Sequence, residues 1–487
     1  MDLLTSFLSL LHPIVLLFYF ITILVVVFVI ILENRNPVKT ISWVLVLVLL
    51  PVIGFVFFIF FGQNLRKEKI IAKKGLRNQQ QLSQMAESQV TKLSDGELFV
   101  TQSLKDKRKI ISLFLNNSNS IITINNRVEI LKDGEETFSS MIAAIEEAKE
   151  YIHLEYYIFV EDEIGSKIKE ILIRKASEGV KVRIIVDDVG SWQLKKPFFK
   201  EMEEAGIEAY SFLKVRFPTF TSKVNYRNHR KILIVDGKVG FLGGVNIADR
   251  YLYGKPQLGP WRDTHLKIEG DSVHSLQSIF LTDWYFVSQE ELYDKEFFPT
   301  SNTIGNTMLQ IVASGPDSDW PGIMMGIFQA IASAKKYVYI ATPYFMVNEG
   351  VLMALKAAAM GNVDVRIILP EKSDSRITHL STRSFIREML DANVKIYFYN
   401  TGFIHSKVMI VDDIISKVGS SNMDFRSFEH NFEVEAFIFN EEIALELKSQ
   451  FKEDIKNSYL ITIENWVKRP PIQKIKESFA RLISPLL

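Results

Sequence analysis

One polar motif occurs twice in this chain, and each copy lies inside a longer repeated segment. Both copies have the form H-x-K-x4-D-x6-G-x2-N. Their residues are His229, Lys231, Asp236, Gly243 and Asn246 in the first copy and His405, Lys407, Asp412, Gly419 and Asn422 in the second. Upstream, segments 148–159 and 180–186 are similar to segments 334–345 and 363–369. A repeat of this length predicts two halves that are built alike.

The segments around the motifs predict an α/β fold. Apolar runs such as residues 182–186 have the composition of strands buried on both faces, and they alternate with helical segments. We expect each half to contain helix, strand, helix, strand and motif strand in that order, with the helices covering the sheet. The first half is placed at residues 120–300 and the second at residues 301–487, and together they form one duplicated unit with a shared site.

Two long apolar runs, residues 13–32 and 41–61, precede the repeat. Each is long enough to cross a hydrocarbon core of about 30 Å as a helix. The short link between them predicts a transmembrane hairpin over residues 1–64. A cleaved signal peptide and a buried soluble hairpin are the alternatives. The signal peptide is disfavoured because no basic segment precedes the first run and no small-residue cleavage site follows it.

Basic residues are concentrated after the second apolar run, and their distribution predicts the orientation of the hairpin. The link carries Arg35 and Lys39 against Glu33, whereas Arg66, Lys67, Lys69, Lys73, Lys74 and Arg77 follow the second run. The positive-inside rule therefore places the large C-terminal part in the cytoplasm. The polar segment 65–119 is interpreted as a helical linker along the membrane surface.

Composition excludes several kinds of site. The chain contains no cysteine, so disulfides, thiolate nucleophiles and cysteine-based zinc sites are absent. The 57 basic and 57 acidic residues give a formal net charge of zero, and no bulk positive field recruits nucleic acid.

The paired motif has the chemistry of phosphoryl transfer. Two residues apart on a strand, His229 and Lys231 share one face, and the second copy repeats the arrangement. One neutral imidazole can attack phosphorus while the other, protonated, donates its proton to the leaving alcohol. The lysines, with Asn246 and Asn422, can neutralise the non-bridging oxygens as charge develops. This chemistry requires no metal and no cofactor.

Four carboxylates near the motifs are candidates for supporting roles. Asp236 and Asp412 belong to the motif itself, and we expect them to brace the catalytic site. Asp263 and Glu433 each precede an apolar strand downstream of a motif, and they are candidates to orient the two imidazoles. The alternative for this second pair is an ordinary surface carboxylate at the start of a strand.

These residues resemble the phospholipase D superfamily, whose signature is a duplicated H-x-K-x4-D, and more narrowly the bacterial cardiolipin synthases. The resemblance extends over nearly the whole chain, including Pro51 to Gly54 in the apolar hairpin, the segments 243–249 and 419–427, and the C-terminal Ser484 to Leu487. It implies two phospholipase D-like α/β/α halves, a multi-pass protein of the bacterial cell membrane, and phosphatidylglycerol and anionic lipids as partners. It also implies that His229 is the nucleophile and His405 the acid.

Other functions remain alternatives at this stage. A hydrolase of the same superfamily, a transferase that uses another alcohol, a membrane-tethered nuclease and an inactive scaffold would all keep the fold. Basic and aromatic residues in segments 194–200 and 212–227 have the composition of an interface for anionic headgroups. Buried phenylalanines with solvated lysines are the alternative for these segments. The acceptor alcohol and the oligomeric state are left open.

Overall fold

The computed structural model describes residues 76–95, 107–215, 226–292, 295–300 and 304–486, with scattered positions between residues 21 and 54. Most of the expected hairpin at residues 1–64 lies outside the described residues. None of the helices in the described part of the chain combines the length and the apolar character that a membrane span needs. The chain divides into two compact units, and the larger one, Ile70–Val215 with Tyr226–Leu487, contains both motifs.

The segment expected as a linker is helical where it is described, but it belongs to the core of the second half. Its elements are α1 (Leu76–Ser94) and α2 (Arg108–Ser118), and the short strand β1 (Ile122–Thr123) follows it. Ile110 and Phe114 of α2 are buried, and the Phe114 ring lies 4.5 Å from the ring of Phe437. Both helices thus belong to the core of the second half. The strand β1 was expected in the first half, but it pairs with the strand Met308–Ser314 of the second half.

The first half contains a mixed sheet of seven strands. They are β2 (Asn126–Leu131), β3 (Tyr151–Tyr156), β4 (Lys181–Asp187), β5 (Glu208–Phe212), β6 (Lys231–Val235), β7 (Val239–Gly243) and β9 (His265–Gly270), with the two-residue β8 (Trp261–Arg262) outside the sheet. Their spatial order is β2-β9-β7-β6-β3-β4-β5. The strands β3, β4 and β5 are parallel to one another, and every other neighbouring pair is antiparallel.

The second half repeats this sheet and adds one strand at each edge. Its strands are β10 (Met308–Ser314), β11 (Tyr337–Ala341), β12 (Phe345–Met346), β13 (Asp364–Pro370), β14 (Lys395–Tyr399), β15 (Phe403–Ile404), β16 (Val408–Val411), β17 (Ile415–Gly419), β18 (Met423–Asp424), β19 (Glu433–Phe439) and β20 (Ser458–Leu460). The spatial order is β1-β10-β19-β17-β16-β11-β13-β14-β20. The seven central strands therefore match the first sheet position by position.

Helices cover both sheets. In the first half they are α3 (Gly134–Glu147), α4 (Glu163–Ser177), α5 (Lys196–Glu204), α6 (Arg250–Tyr253) and α7 (Ser272–Ser288). In the second half they are α8 (Gly322–Ala332), α9 (Glu349–Met360), α10 (Arg376–Asp391), α11 (Phe425–Glu429), α12 (Glu441–Lys456), α13 (Ile463–Val467) and α14 (Pro471–Ile483). The structure thus has the expected α/β class with duplicated halves. Beyond the expected elements, each half has a strand before its first helix, β2 or β10. A further helix and strand precede each motif strand, and two antiparallel strands of the sheet follow it.

An apolar core shared by the two sheets joins the halves. Ile232 and Ile234 of β6 belong to the same buried cluster as Ile410 of β16 and Val434 of β19. The alternate residue Leu233 belongs to a separate core beneath α3 and α4. Because successive side chains of a strand point to opposite faces, the motif strand β6 contributes to both cores. The two motif strands consequently pack against one common core.

The packing of α2 makes a prediction about stability. Replacing the fully buried Phe114 by Ala should lower the free energy of unfolding by about 3–5 kcal/mol, because it removes a large side chain and leaves a cavity. Urea denaturation of the purified protein measures the change. The exposed Met353→Ala on α9 is the control and should change little. An unchanged midpoint for Phe114→Ala would mean that α2 is a separate linker after all.

Candidate active site

The two motifs are each anchored to the opposite half of the protein. The backbone N–H of His229 donates to the carbonyl of Phe432 at 2.9 Å, and that of His405 donates to the carbonyl of Arg262 at 2.7 Å. Short parallel pairing supports both contacts, Asn228 with Phe432 in one case and β8 with β15 in the other. The two imidazoles are therefore positioned by the contact between the halves.

Each imidazole binds a buried carboxylate that comes from the other half. His229 Nδ1 lies 3.0 Å from both carboxylate oxygens of Glu433, and His405 Nδ1 lies 2.6 Å from Oδ2 of Asp263. The structure thus brings together the imidazoles and the acids that the sequence proposed as their partners, in crossed pairs. A carboxylate on Nδ1 orients the ring and leaves Nε2 for substrate.

The two motif lysines lie beside the imidazoles. Lys231 Nζ donates to the carbonyl of His229 at 2.6 Å, and Lys407 Nζ donates to the carbonyl of His405 at 2.6 Å. Lys407 Nζ also lies 2.9 Å from Nδ1 of His405, and Lys231 Nζ lies 5.3 Å from the ring centre of Tyr157. Two cationic groups are thus buried next to the atoms that would meet a phosphate.

Burial controls the protonation of the bases in this site. It lowers the pKa of Lys231 to about 7 and also lowers the pKa of Lys407. Burial lowers the pKa of His229 to about 4, Lys231 acting in the same direction and Glu433 against it. For His405, burial and then Lys407 lower the pKa to about 4, against the opposing effect of Asp263. Both imidazoles are neutral near neutral pH in the absence of an anion.

The two carboxylates stay ionised. Burial alone would raise the pKa of Glu433, but the interactions with His229 and Lys231 lower it to about 2. Burial likewise opposes ionisation of Asp263, and Lys407 with His405 holds its pKa below the usual range. An incoming phosphate anion would add negative charge and raise the pKa of both imidazoles, which favours a protonated acid only when substrate is bound.

The motif carboxylates Asp236 and Asp412 lie at the opposite end of the motif strands from the imidazoles. Asp236 accepts hydrogen bonds from the backbone N–H groups of Lys149, Glu150 and Tyr151 at 2.8–2.9 Å. Asp412 makes the equivalent contacts, at 2.7–3.0 Å, with the N–H groups of Lys335, Lys336 and Tyr337. Each therefore ties the end of a motif strand to the start of its neighbour, β3 or β11, and neither joins the imidazoles.

Asn246 and Asn422 differ in their contacts. Asn246 is buried, accepts from the N–H of Ile158 at 3.1 Å and donates to the hydroxyl of Tyr251. The ring of Tyr251 lies 6.0 Å from that of His405, so Asn246 positions a wall of the site. The backbone N–H of Asn422 donates to Ser427 Oγ at 3.1 Å, and its buried Oδ1 accepts no hydrogen bond from the described residues.

The residue that follows each motif glycine also shapes the site, and the motif pattern does not predict it. A Cβ at Gly244 would collide with the carboxylate of Asp263. The matching residue of the second half is Ser420, whose hydroxyl donates to Glu433. In the sequence, this difference is visible as Gly243-Gly244 in the first half and Gly419-Ser420 in the second. The two acids are thus accommodated differently, one by the absence of a side chain and the other by a hydrogen bond.

An open cavity adjoins the first motif. It has a volume of ≈ 510 Å³ and is lined by Asp187, Trp192, Lys196 and Lys214 among others. Asp187 is buried and accepts from the N–H of Asn228 at 2.9 Å, one residue before the imidazole of His229. The cavity is lined in part by the two segments rich in basic and aromatic residues, 194–200 and 212–227. Residues 216–225 of the second segment lie outside the described residues.

The described residues contain no group of three or more His, Asp or Glu side chains arranged to hold a metal ion.

This chain is similar to known proteins over nearly its whole length. A family model described as "Cardiolipin synthase, PLD-like domain" matches residues 141–284 and 327–455, and one described as "Phospholipase_D-nuclease N-terminal" matches residues 14–63. The cardiolipin synthase of Geobacillus sp. is 41% identical over 96% of this chain and 92% of its own length. The major cardiolipin synthase of Bacillus subtilis is 40% identical over 97% of this chain and 98% of its own length.

The chain belongs to the bacterial cardiolipin synthase family of the phospholipase D superfamily. A solved structure, the phosphatidylserine synthase of Haemophilus influenzae, covers 80% of this chain and 100% of its own, with a TM-score of 0.61 and 14% identity. That likeness shows a common fold. In this member of the cardiolipin synthase family, the matched family model spans both motifs and both crossed acids.

The lowered imidazole pKa values predict how stability depends on pH. The pKa values of His229 and His405 are about 4 in the folded protein against 6.5 for the free side chain, so the unfolded chain binds more protons between these limits. Stability should therefore fall as pH drops from 6.5 towards 4, by up to about 1.4 kcal/mol per pH unit for each imidazole.

Urea denaturation across this range should give a smaller slope of stability against pH for His229→Gln than for the wild type. The exposed Asp391→Asn should keep the wild-type slope. Equal slopes for all three proteins would show that the imidazole titrates alike in both states.

Proposed function

We propose that this protein is a membrane-anchored phosphatidyltransferase that makes cardiolipin and glycerol from two molecules of phosphatidylglycerol. The observation that carries the proposal is the pair of crossed His–carboxylate contacts, which place two oriented imidazoles and two lysines in one site. Full-length similarity to cardiolipin synthases supports the choice of phosphatidylglycerol as substrate.

In the first step, Nε2 of neutral His229 attacks the phosphorus of the donor lipid. The P–O bond to the glycerol headgroup breaks, and His405 transfers its proton to the departing oxygen. Glu433 stabilises the positive charge that develops on the His229 ring, as the carboxylate of a catalytic triad does for its histidine. The product is a phosphatidyl group bonded to His229 and one free glycerol.

In the second step, the roles of acid and base exchange. His405, now neutral, removes the proton from a hydroxyl of the second phosphatidylglycerol, whose oxygen attacks the phosphorus. The bond to His229 breaks, cardiolipin leaves and His405 keeps the proton for the next cycle. Lys231 and Lys407 offset the charge on the non-bridging oxygens in both steps, supported by the amide of Asn422. Asn246 contributes through Tyr251, which it holds at the wall of the site. Asp236 and Asp412 contribute by fixing the motif strands.

Transfer to a lipid alcohol requires that water be kept from the phosphatidyl-histidine. His229 and His405 expose only 8% and 7% of their surface, which leaves little room for solvent around the reacting nitrogens. We place the protein in the bacterial cell membrane through a hairpin with spans at residues 13–32 and 41–61, with the two halves on the cytoplasmic side. The match of residues 14–63 to an N-terminal family model supports this anchor.

The reaction itself provides the first test of this proposal. Vesicles of labelled phosphatidylglycerol should accumulate cardiolipin and free glycerol in a 2:1:1 ratio of lipid consumed to products when the reconstituted protein is added, as the balanced steps require. Chromatography of the lipids measures the phosphatidylglycerol consumed and the cardiolipin formed. Phosphatidic acid as the sole lipid product would instead identify a hydrolase and overturn the proposal.

Substitution of the imidazoles tests their roles. His229→Gln and His405→Gln should each lower turnover by about 10⁴-fold or more. The two imidazoles act as a unit, so the loss of either one removes most of the catalytic effect of both. His274→Gln changes a partly buried histidine outside the motifs and should retain turnover. A phosphatidyl adduct trapped on His405 in place of His229 would reverse the two assignments while keeping the mechanism.

A further inference from the structure

The C-terminal helix α14 exposes large apolar side chains along one face. Ile472, Ile475, Phe479 and Leu482 are 60%, 50%, 68% and 76% exposed. Their spacing of three, four and three residues places them in one stripe of the helix. These four residues are called the apolar stripe of α14.

The opposite side of α14 binds the protein through ion pairs and hydrogen bonds. Glu477 is 2% exposed and accepts from Nε of Arg383 at 2.8 Å, Nη2 of Arg469 at 2.9 Å and Nε2 of Gln473 at 3.0 Å. Arg481 donates to the carbonyl of Ser384 at 3.0 Å. At 3.6 residues per turn, Glu477 lies about half a turn from the middle of the apolar stripe.

This arrangement is the reverse of an ordinary surface helix. Such a helix buries its apolar stripe in the core and turns its charged face to solvent. In α14 the charged face is buried against α10, and the apolar stripe points outward. The buried ion pairs fix the orientation, because breaking them would leave Glu477 uncompensated in the interior. The apolar stripe is therefore a permanent feature of the folded protein.

Basic side chains accompany the apolar stripe. Lys474 and Lys476 are exposed on α14, and their helical positions lie on either side of the stripe. Lys468, just before the helix, is exposed as well. An apolar face flanked by lysines has the pattern of helices that lie in the plane of an anionic membrane surface.

We propose that the apolar stripe of α14 inserts into the headgroup region of a bilayer that contains anionic phospholipid, with Lys474 and Lys476 contacting lipid phosphates. The proposal rests on the proposed function, since the substrates are then constituents of that bilayer. A second copy of the chain is a poorer occupant, because stable protein interfaces bring together about 20 residues a side and the stripe offers four. The helix thus gives the second half its own contact with the membrane.

The natural absence of cysteine allows a direct test with the full-length chain. Phe479→Cys carries a fluorescent label into the apolar stripe, and Met353→Cys, at an exposed position of α9, is the matched control. Both are reconstituted in vesicles of phosphatidylglycerol and phosphatidylcholine, with or without a lipid that bears a quencher near the headgroup. We expect several-fold stronger quenching of the label at residue 479 than at residue 353. Equal quenching at both positions overturns the proposal.

Two further measurements complete the test. Phe479→Glu with Leu482→Glu should lower the rate on phosphatidylglycerol vesicles by about tenfold, the effect expected from losing the insertion of a large apolar side chain, with the thermal midpoint unchanged. Met353→Glu should keep the wild-type rate. A label at residue 479 that responds to protein concentration in detergent, and not to lipid quencher, shows an interface between copies and also overturns the proposal. Quenching requires no turnover, so strong quenching without cardiolipin production would overturn the proposed function and leave the membrane contact standing.

Discussion

The site depends on two buried carboxylates, each of which binds an imidazole of the opposite half of the protein. Glu433 binds His229 and Asp263 binds His405, so each half supplies the partner of the other half's imidazole. Buried charges are tolerated only when they are paired and hydrogen-bonded. The same pairs that orient the imidazoles therefore also fix the relative position of the halves. The shared apolar core around Ile232 and Ile410 adds non-directional apolar packing between the two halves.

The two halves are alike in strand order, yet the surroundings of their imidazoles differ. Glu433 also accepts from Ser420 and Asn431, whereas Asp263 occupies space left by Gly244 and accepts from the N–H of Thr264. Lys407 contacts the ring of His405 directly, and Lys231 faces Tyr157. The contacts therefore differ, although burial lowers the pKa of both imidazoles to about 4.

The sequence was sufficient to predict the duplicated α/β fold, which follows from the repeat, and to name the imidazoles and the two acids that contact them. The pairing of Asp263 with His405 was beyond it, since that contact joins residues 142 positions apart across two sheets. The packing of α2 was missed for a similar reason: its partners lie at the other end of the chain. For α14 the period of apolar residues was visible, but the sequence alone does not say that Glu477, and not Phe479, faces the protein.

The position of α2 has a consequence for how the chain acquires its structure. Phe114 is made long before Phe437, against which it packs, and the whole first half lies between them. At a synthesis rate of about 5–20 residues per second, α2 is made roughly 16–65 s before Phe437. α1 is made before α2 and packs in the same cluster, but the part of α2 that contacts Phe437 lacks its native partner during that interval. The core of the second half, and the apolar core that the two halves share, are therefore completed only when translation is nearly finished.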